Sequence, residues 1–306
     1  SSTICLGTAG TTLPGRTRRI FFGAYGLDAN DNPVRDIMKA DALDQFRRKL
    51  AANKPLFGIW VTLESASVTE MAVASGLDWV VIDAEHGHLD WQDIVQHIRA
   101  TVRSKTVALV RIAEHNSSLV KRVLDIGADG VVVPWVESAQ QLTELLKMAQ
   151  YPPAGIRGIG GERATAWGQA LAEHVAESDS RVLVVPILES VAAYESIDQL
   201  VEVEGSELFY FGPADFSATA GYAGQWEGPG VAEMILEMKD KILAAGKHCG
   251  LVTTSLDDMD QRLAAGFQVL AAGMDSSLLL SRLQQILTHV GRQQDLHPNL
   301  SPDPSD

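Results

Sequence analysis

Apolar positions along this chain follow two alternating rhythms. Short continuous runs such as Trp79-Val80-Val81-Ile82, Val107-Ala108-Leu109-Val110 and Val182-Leu183-Val184-Val185-Pro186-Ile187-Leu188 contain no polar alternation. Such runs predict strands buried on both faces, as in a parallel sheet. Between them lie stretches with apolar residues three and four apart, which predict amphipathic helices. The pattern predicts strands over 56–62, 78–83, 106–111, 129–134, 181–188, 206–212, 248–254 and 267–272. Helices are expected over 66–75, 90–102, 116–126, 138–149, 230–245, 257–265 and 275–290, with a lead-in helix over 41–52. Eight strands with intervening helices are the count of an α/β (β/α)8 TIM barrel; a doubly wound open sheet is the competing topology. The open sheet's usual nucleotide-binding mark, a Gly-x-Gly-x-x-Gly turn after the first strand, is absent from this sequence.

Glycines at Gly76, Gly127 and Gly266 fall where a helix ends and the next strand begins, the position of a left-handed cap. These connections belong to the stability face of a barrel. The segment Tyr151-Pro152-Pro153-Ala154-Gly155-Ile156-Arg157-Gly158-Ile159-Gly160-Gly161 breaks the rhythm between the fourth and fifth strands and is expected to be a loop on the strand-to-helix side that closes over a site. The expected organisation is an extension with the lead-in helix over 1–50, a barrel over 51–290 and a disordered tail over 291–306.

Composition narrows the class. The chain has 306 residues, within the range of a single barrel, and no apolar run approaches the length of a membrane span. Cys5 and Cys249 are too few for a disulfide framework, which favours a reducing cytoplasm. With 25 basic against 39 acidic residues the formal charge is −14, which opposes nucleic acid and anionic membrane as partners. An anionic substrate then needs a local cation.

Charged residues end the predicted strands. Asp83, Glu85, His86 and His88 follow one run, Arg111 the next, and Glu189 and Asp215 the fifth and sixth. In a barrel these ends form the active face. Glu189 and Asp215 repel each other in a partly desolvated mouth unless one is protonated or a cation lies between them, and two oxygen donors with open positions suit Mg2+ or Mn2+. The plainer alternative is that each acid caps the helix that follows. Arg111, as the lone charge ending a buried strand, must meet an anion, from the protein or from a ligand. His86 beside Asp83 and Glu85 has the context for proton transfer, whereas His88, His97, His115 and His174 read as surface or capping residues. No lysine ends a strand, which disfavours a Schiff-base mechanism, and Cys249 reads as a core residue.

From about Phe57 to Leu280 the chain resembles the HpcH/HpaI family of metal-dependent pyruvate aldolases. The likeness rests on Asp83-Ala84-Glu85-His86-Gly87, Val110-Arg111-Ile112, Val133-Pro134-Trp135-Val136, the Tyr151–Gly158 stretch, Glu189, Gly212-Pro213-Ala214-Asp215-Phe216-Ser217 and Gly273-Met274-Asp275-Ser276-Ser277-Leu278. The resemblance implies a barrel of the phosphoenolpyruvate/pyruvate-binding type, with its last helix exchanged between protomers of a hexamer. It implies reversible cleavage of a 4-hydroxy-2-oxo acid to pyruvate, or hydroxypyruvate, and an aldehyde. Glu189 and Asp215 are implied as ligands of Mg2+, Mn2+ or Co2+, the amides of Ala214 and Asp215 as the carboxylate site, and Arg111 as the partner of the keto oxygen. His86 and Asp83 are implied in proton transfer, and Asp125 as a residue reaching a neighbouring subunit's site. Gly212, Pro213, Trp60 and Val252 complete the expected substrate contacts. Many relatives carry glutamine where this chain has Ile187, and the family gives no role for the N-terminal extension. The alternatives are a CoA-ester lyase of the citrate lyase β type and a non-catalytic oligomer that binds 2-oxo acids.

Overall fold

The computed structural model describes residues 40–292, apart from residue 227. The expected extension before residue 40 and the tail beyond 292 lie outside the described residues. Eight parallel strands close into a barrel in chain order. They are β1 (Leu56–Val61), β2 (Trp79–Asp83), β3 (Val107–Arg111), β4 (Gly130–Val133), β5 (Leu183–Leu188), β6 (Leu208–Phe211), β7 (His248–Val252) and β8 (Val269–Met274), and β8 pairs with β1. Each overlaps its predicted range, and closure excludes the open sheet.

The helices are α1 (Ala40–Ala51), α2 (Ala66–Ala74), α3 (Trp91–Ala100), α4 (Ser117–Asp125), α5 (Ala139–Ala149), α6 (Leu171–Glu177), α7 (Val191–Glu195), α8 (Ile197–Leu200), α9 (Pro213–Thr219), α10 (Val231–Ala244), α11 (Leu256–Ala264) and α12 (Asp275–His289). Helices α6 to α9 have no counterpart in the predicted set. At four to seven residues they span fewer than two turns, too few for a 3.6-residue period to repeat.

The strands read as continuous apolar runs because both of their faces are buried, against different partners. Val81, Leu109, Val185, Ile187 and Tyr210 fill the barrel, while Ile82, Val110, Leu188, Phe209 and Phe211 pack outward against the helices. Helix α1 adds Ala42, Leu43, Phe46 and Leu50 to the inner cluster alongside Leu56, Trp79 and Leu208, closing the amino-terminal end of the barrel. Gly58 makes this packing possible: a Cβ there would lie 2.1 Å from the Trp79 ring. The expected caps hold, with φ of +80° at Gly76 and +95° at both Gly127 and Gly266.

The Tyr151–Gly161 stretch does not lie on the expected side. It leaves the end of α5 and leads into β5, a helix-to-strand connection, so it belongs to the amino-terminal face. Arg163 Nη1 donates to Ile126 O there at 2.9 Å, and Arg157 Nη2 bonds Asp125 at 2.8 Å. The error arose because a break in the rhythm fixes a loop's place in the sequence, not the face on which its helix ends. Helix α12 exposes Leu278, Leu279, Leu280, Leu283, Ile286 and Leu287, and Val290 just past its end is exposed too. Among the described residues no helix is long and apolar enough to cross a membrane.

Candidate active site

The carboxyl ends of β2, β3, β5 and β6 bring Asp83, Arg111, Glu189 and the Gly212–Asp215 turn to one mouth. Asp83 is fully buried, and its carboxylate clamps Arg111: Nε donates to Oδ1 at 2.8 Å and Nη2 to Oδ2 at 2.5 Å. The two residues are register partners on adjacent strands, so the pair is set by the sheet itself. Asp83 Oδ1 also accepts the backbone N–H groups of Glu85 (3.1 Å) and His86 (3.3 Å), folding the β2 exit into a turn. Glu85 Oε2 lies 3.1 Å from Arg111 Nη1, outside hydrogen-bond geometry. Burial raises the Glu85 pKa although the guanidinium opposes the shift. The anion expected for Arg111 is therefore supplied by the protein twice over. Its planar fork spends two of five N–H groups on hydrogen bonds to Asp83, and its Nη1 edge, with Glu85 alongside, makes no hydrogen bond to that carboxylate.

Asp83 is turned to Arg111, and its contact with His86 is to the backbone. The His86 ring is exposed at the mouth, beside Glu85. Trp60 lies under the guanidinium, with Arg111 Cζ 4.6 Å from its ring centroid, and Trp60 Nε1 donates to Tyr210 Oη at 3.3 Å. Val252 is half-buried at the end of β7.

Glu189 is 3% exposed, and its Oε1 accepts the Trp135 amide at 2.7 Å. Trp135 has φ +53°, a left-handed conformation uncommon outside glycine, which aims that N–H into the mouth. His115 Nε2 lies 2.6 Å from Pro134 O, holding the same loop. Burial pushes the Glu189 pKa up to about 7, and the charges of Asp215 and Glu85 push in the same direction. The capping alternative fails for Glu189, because Ser190 caps α7 by accepting the Ala193 amide at 3.1 Å. A Cβ at position 212 would fall 2.5 Å from Glu189 Oε2, so glycine there is the space the carboxylate occupies. At the start of α9 the first N–H to bond back is that of Phe216, to Gly212 O at 3.0 Å, which leaves the Ala214 and Asp215 amides ahead of the helical ladder.

A buried carboxylate pushed toward neutrality beside a second carboxylate is a donor set that a divalent cation relieves, and two oxygens with room for water or substrate fit Mg2+, Mn2+ or Co2+. No cluster of three or more metal-ligating side chains occurs among the described residues.

Asp125 is not brought to this mouth. It ends α4 on the opposite face, paired with Arg157. Trp167 is likewise on that side, exposed, whereas Trp135 stands at the mouth. Two histidines expected at the surface are buried: His97, whose Nδ1 lies 2.8 Å from Thr69 Oγ1, and His174, whose pKa burial lowers to about 4. Cys249 is a core thiol, pushed up to about 12 by burial. Sequence reasoning missed Glu85 as a second counter-charge to Arg111, the Trp135 amide, and Asp275. Asp275 accepts the Thr62 and Leu63 amides at 2.9 and 3.0 Å and ties the β1 exit to α12. Glu85 was findable from its place two residues past Asp83; a main-chain donor set by φ has no sequence mark.

Comparison with known proteins gives a consistent set of relatives. The profile of the family described as HpcH/HpaI aldolase/citrate lyase matches residues 56–281. A 2-keto-3-deoxy-L-rhamnonate aldolase from Klebsiella pneumoniae is 34% identical over 82% of this chain and 94% of its own length. A 4-hydroxy-2-oxovalerate aldolase from Rhodococcus jostii is 32% identical over 78% of this chain and 92% of its own. Among solved structures, an HpcH/HpaI aldolase/citrate lyase family protein from Burkholderia cenocepacia superposes with a TM-score of 0.77 at 27% identity, covering 81% of this chain and 99% of that one.

Proposed function

Because the chain belongs to the HpcH/HpaI aldolase/citrate lyase family, we propose that it is a metal-dependent aldolase that reversibly cleaves a 4-hydroxy-2-oxo acid to pyruvate, or hydroxypyruvate, and an aldehyde. The observation that carries the reading is Glu189, buried, pushed up to about 7 and facing the charge of Asp215 beside the clamped Arg111. Glu189 and Asp215 would hold a divalent ion, Mg2+, Mn2+ or Co2+. When bound, such an ion polarises the 2-oxo and carboxylate oxygens as a Lewis acid.

The protein's own groups account for the rest. The Ala214 and Asp215 amides at the start of α9 receive the substrate carboxylate. Cleavage breaks the C3–C4 bond, the electron pair stays on the pyruvate fragment as an enolate, and the C4 hydroxyl proton leaves as the aldehyde forms. Arg111, fixed by Asp83, presents its Nη1 edge to the oxygen on which charge develops, where preorganised donors count most. The exposed His86 ring is placed to exchange protons with water at the mouth.

The six exposed apolar residues of α12 support a homo-oligomer, a hexamer with that helix exchanged, in which Asp125 serves a neighbouring site. The buried, reduced Cys249 and the shortage of other cysteines support a cytoplasmic location. The CoA-ester lyase reading is weaker because among the described residues the mouth offers no lysine or arginine cluster for a nucleotide's phosphates. The test is loss of the pyruvate methyl proton signal in D2O, with chelator and then with each metal. Metal-dependent exchange that disappears in Asp215→Ala supports the proposal, and absence of exchange with every metal overturns it.

A further inference from the structure

The two ends of the barrel differ in charge. The strand-to-helix connections comprise residues 62–65, 84–90, 112–116, 134–138, 189–190, 212 and 253–255, and neither these nor the described residues between α9 and α10 (220–226 and 228–230) contain lysine or arginine. Nor do the first turns of the helices that follow them. Those connections do contain Glu64, Glu85, Glu114, Glu137 and Glu189, and Asp215 and Asp257 lie in the first turns of α9 and α11. Among the described residues the basic residues of the connections are all on the other face: Lys54, Arg103, Lys105, Arg157, Arg163, Arg181 and Lys247.

At the mouth itself, four carboxylates (Asp83, Glu85, Glu189 and Asp215) share one guanidinium, and Arg111 is already held by the first two. Arg262, on α11, is held by Asp258 at 2.7 Å. Glu114 is exposed and Glu137 half-exposed at the rim. A divalent ion and the guanidinium can balance the 2-oxo acid end of a substrate. Among the described residues nothing in the mouth balances a second anion farther out, and the field of the rim opposes one.

We infer that the aldehyde this site releases or condenses carries no carboxylate or phosphate of its own. The inference rests on the aldolase reading and narrows it to 4-hydroxy-2-oxo monocarboxylates whose distal part is uncharged. Like-charge juxtaposition, not shape, is the selecting device, so the discrimination is screened by salt.

The test compares aldehydes matched in size but not in charge. The magnesium-loaded full-length protein condenses pyruvate with 4-oxobutanoate or with its neutral isostere 4-oxobutanamide, at low salt and at high salt. The expected result is kcat/KM at least tenfold higher for the amide at low salt, with the gap narrowing as salt rises. A Glu114→Gln/Glu137→Gln double variant should narrow the gap at low salt by raising the carboxylated aldehyde selectively, while methyl-proton exchange of pyruvate alone stays at the wild-type rate. Equal or better use of 4-oxobutanoate by wild type overturns the inference and identifies a cation supplied by a neighbouring subunit. The exchange reaction needs no aldehyde, so its presence with reversed aldehyde preference sinks this inference alone, whereas its absence sinks both.

Discussion

Replacing Asp83 with asparagine separates two roles that the sequence leaves open for it. As the orienter of His86, Asp83 would be a proton-transfer partner, and its loss would resemble His86→Ala with little cost to the fold. As the clamp of Arg111, it is half of a buried ion pair, fully enclosed, with two charge-assisted bonds at 2.8 and 2.5 Å. Breaking a buried pair from one side costs about 3–5 kcal/mol, because the remaining charge is stranded. Asparagine retains one acceptor for Nε and for the Glu85 amide, and Glu85 remains 3.1 Å from Nη1, so the low end of that range, about 3 kcal/mol, applies. For a barrel of this size that corresponds to about 6–12 °C in Tm. Differential scanning calorimetry reads the stability, and pyruvate methyl exchange reads the chemistry. Asp83→Asn should lose both, and its exchange rate should fall to that of Arg111→Ala, while His86→Ala should keep wild-type Tm. An Asp83→Asn protein within 1 °C of wild type would refute the clamp.

Glu189 should make the metal-free protein pH-sensitive. Its folded pKa, about 7, exceeds the ordinary glutamate value of 4.5, so between those values the native state holds a proton that the unfolded chain has lost. Stability should therefore fall as pH rises from about 4.5 to 7, by up to about 3 kcal/mol, and level off above. Urea midpoints of the chelated protein check this, and the same series on Glu189→Gln should lack that component. Metal binding below pH 7 should release a proton, visible as a buffer-dependent heat in calorimetry. Gly212→Ala should weaken metal binding about 10- to 100-fold, the range seen when a ligand's supporting contacts are disturbed, since its Cβ would meet Glu189 Oε2 at 2.5 Å. Unchanged affinity in equilibrium dialysis would mean Glu189 is not a ligand. Placing aspartate at both Leu279 and Leu283 should reduce the mass seen in sedimentation, and an unchanged assembly would show that this face of α12 is not an interface.

The barrel was legible because its strands have two apolar faces, giving runs that stand out from the helical period between them. The charged residues at the ends of β2, β3 and β5 were legible for the same reason, as polar groups that stop an apolar run. What the sequence withheld depends on the third dimension. Whether Asp83 meets His86 three residues on or Arg111 on the next strand is a matter of register, and Asp83 and Arg111 are register partners. The Trp135 amide that holds Glu189 follows from a left-handed φ that the Val133-Pro134-Trp135-Val136 stretch does not announce. His97 and His174 read as surface residues because an isolated imidazole looks the same in sequence whether Thr69 or water meets it.

The fold can tolerate so many acids at one end because the opposite end does not share the load. Helix α1 seals the amino-terminal end with Ala42, Leu43, Phe46 and Leu50, and the layers above it are buried apolar side chains. Basic residues are set in the connections of that sealed end, where they bond chain carbonyls and acids, as Lys247 does with Val203 O at 2.7 Å and Arg157 with Asp125. Stability and chemistry are thus assigned to different faces. The cost of gathering Asp83, Glu85, Glu189 and Asp215 falls on a region whose backbone is already fixed by strand pairing. Those carboxylates can therefore be held close together without loosening the strands that present them.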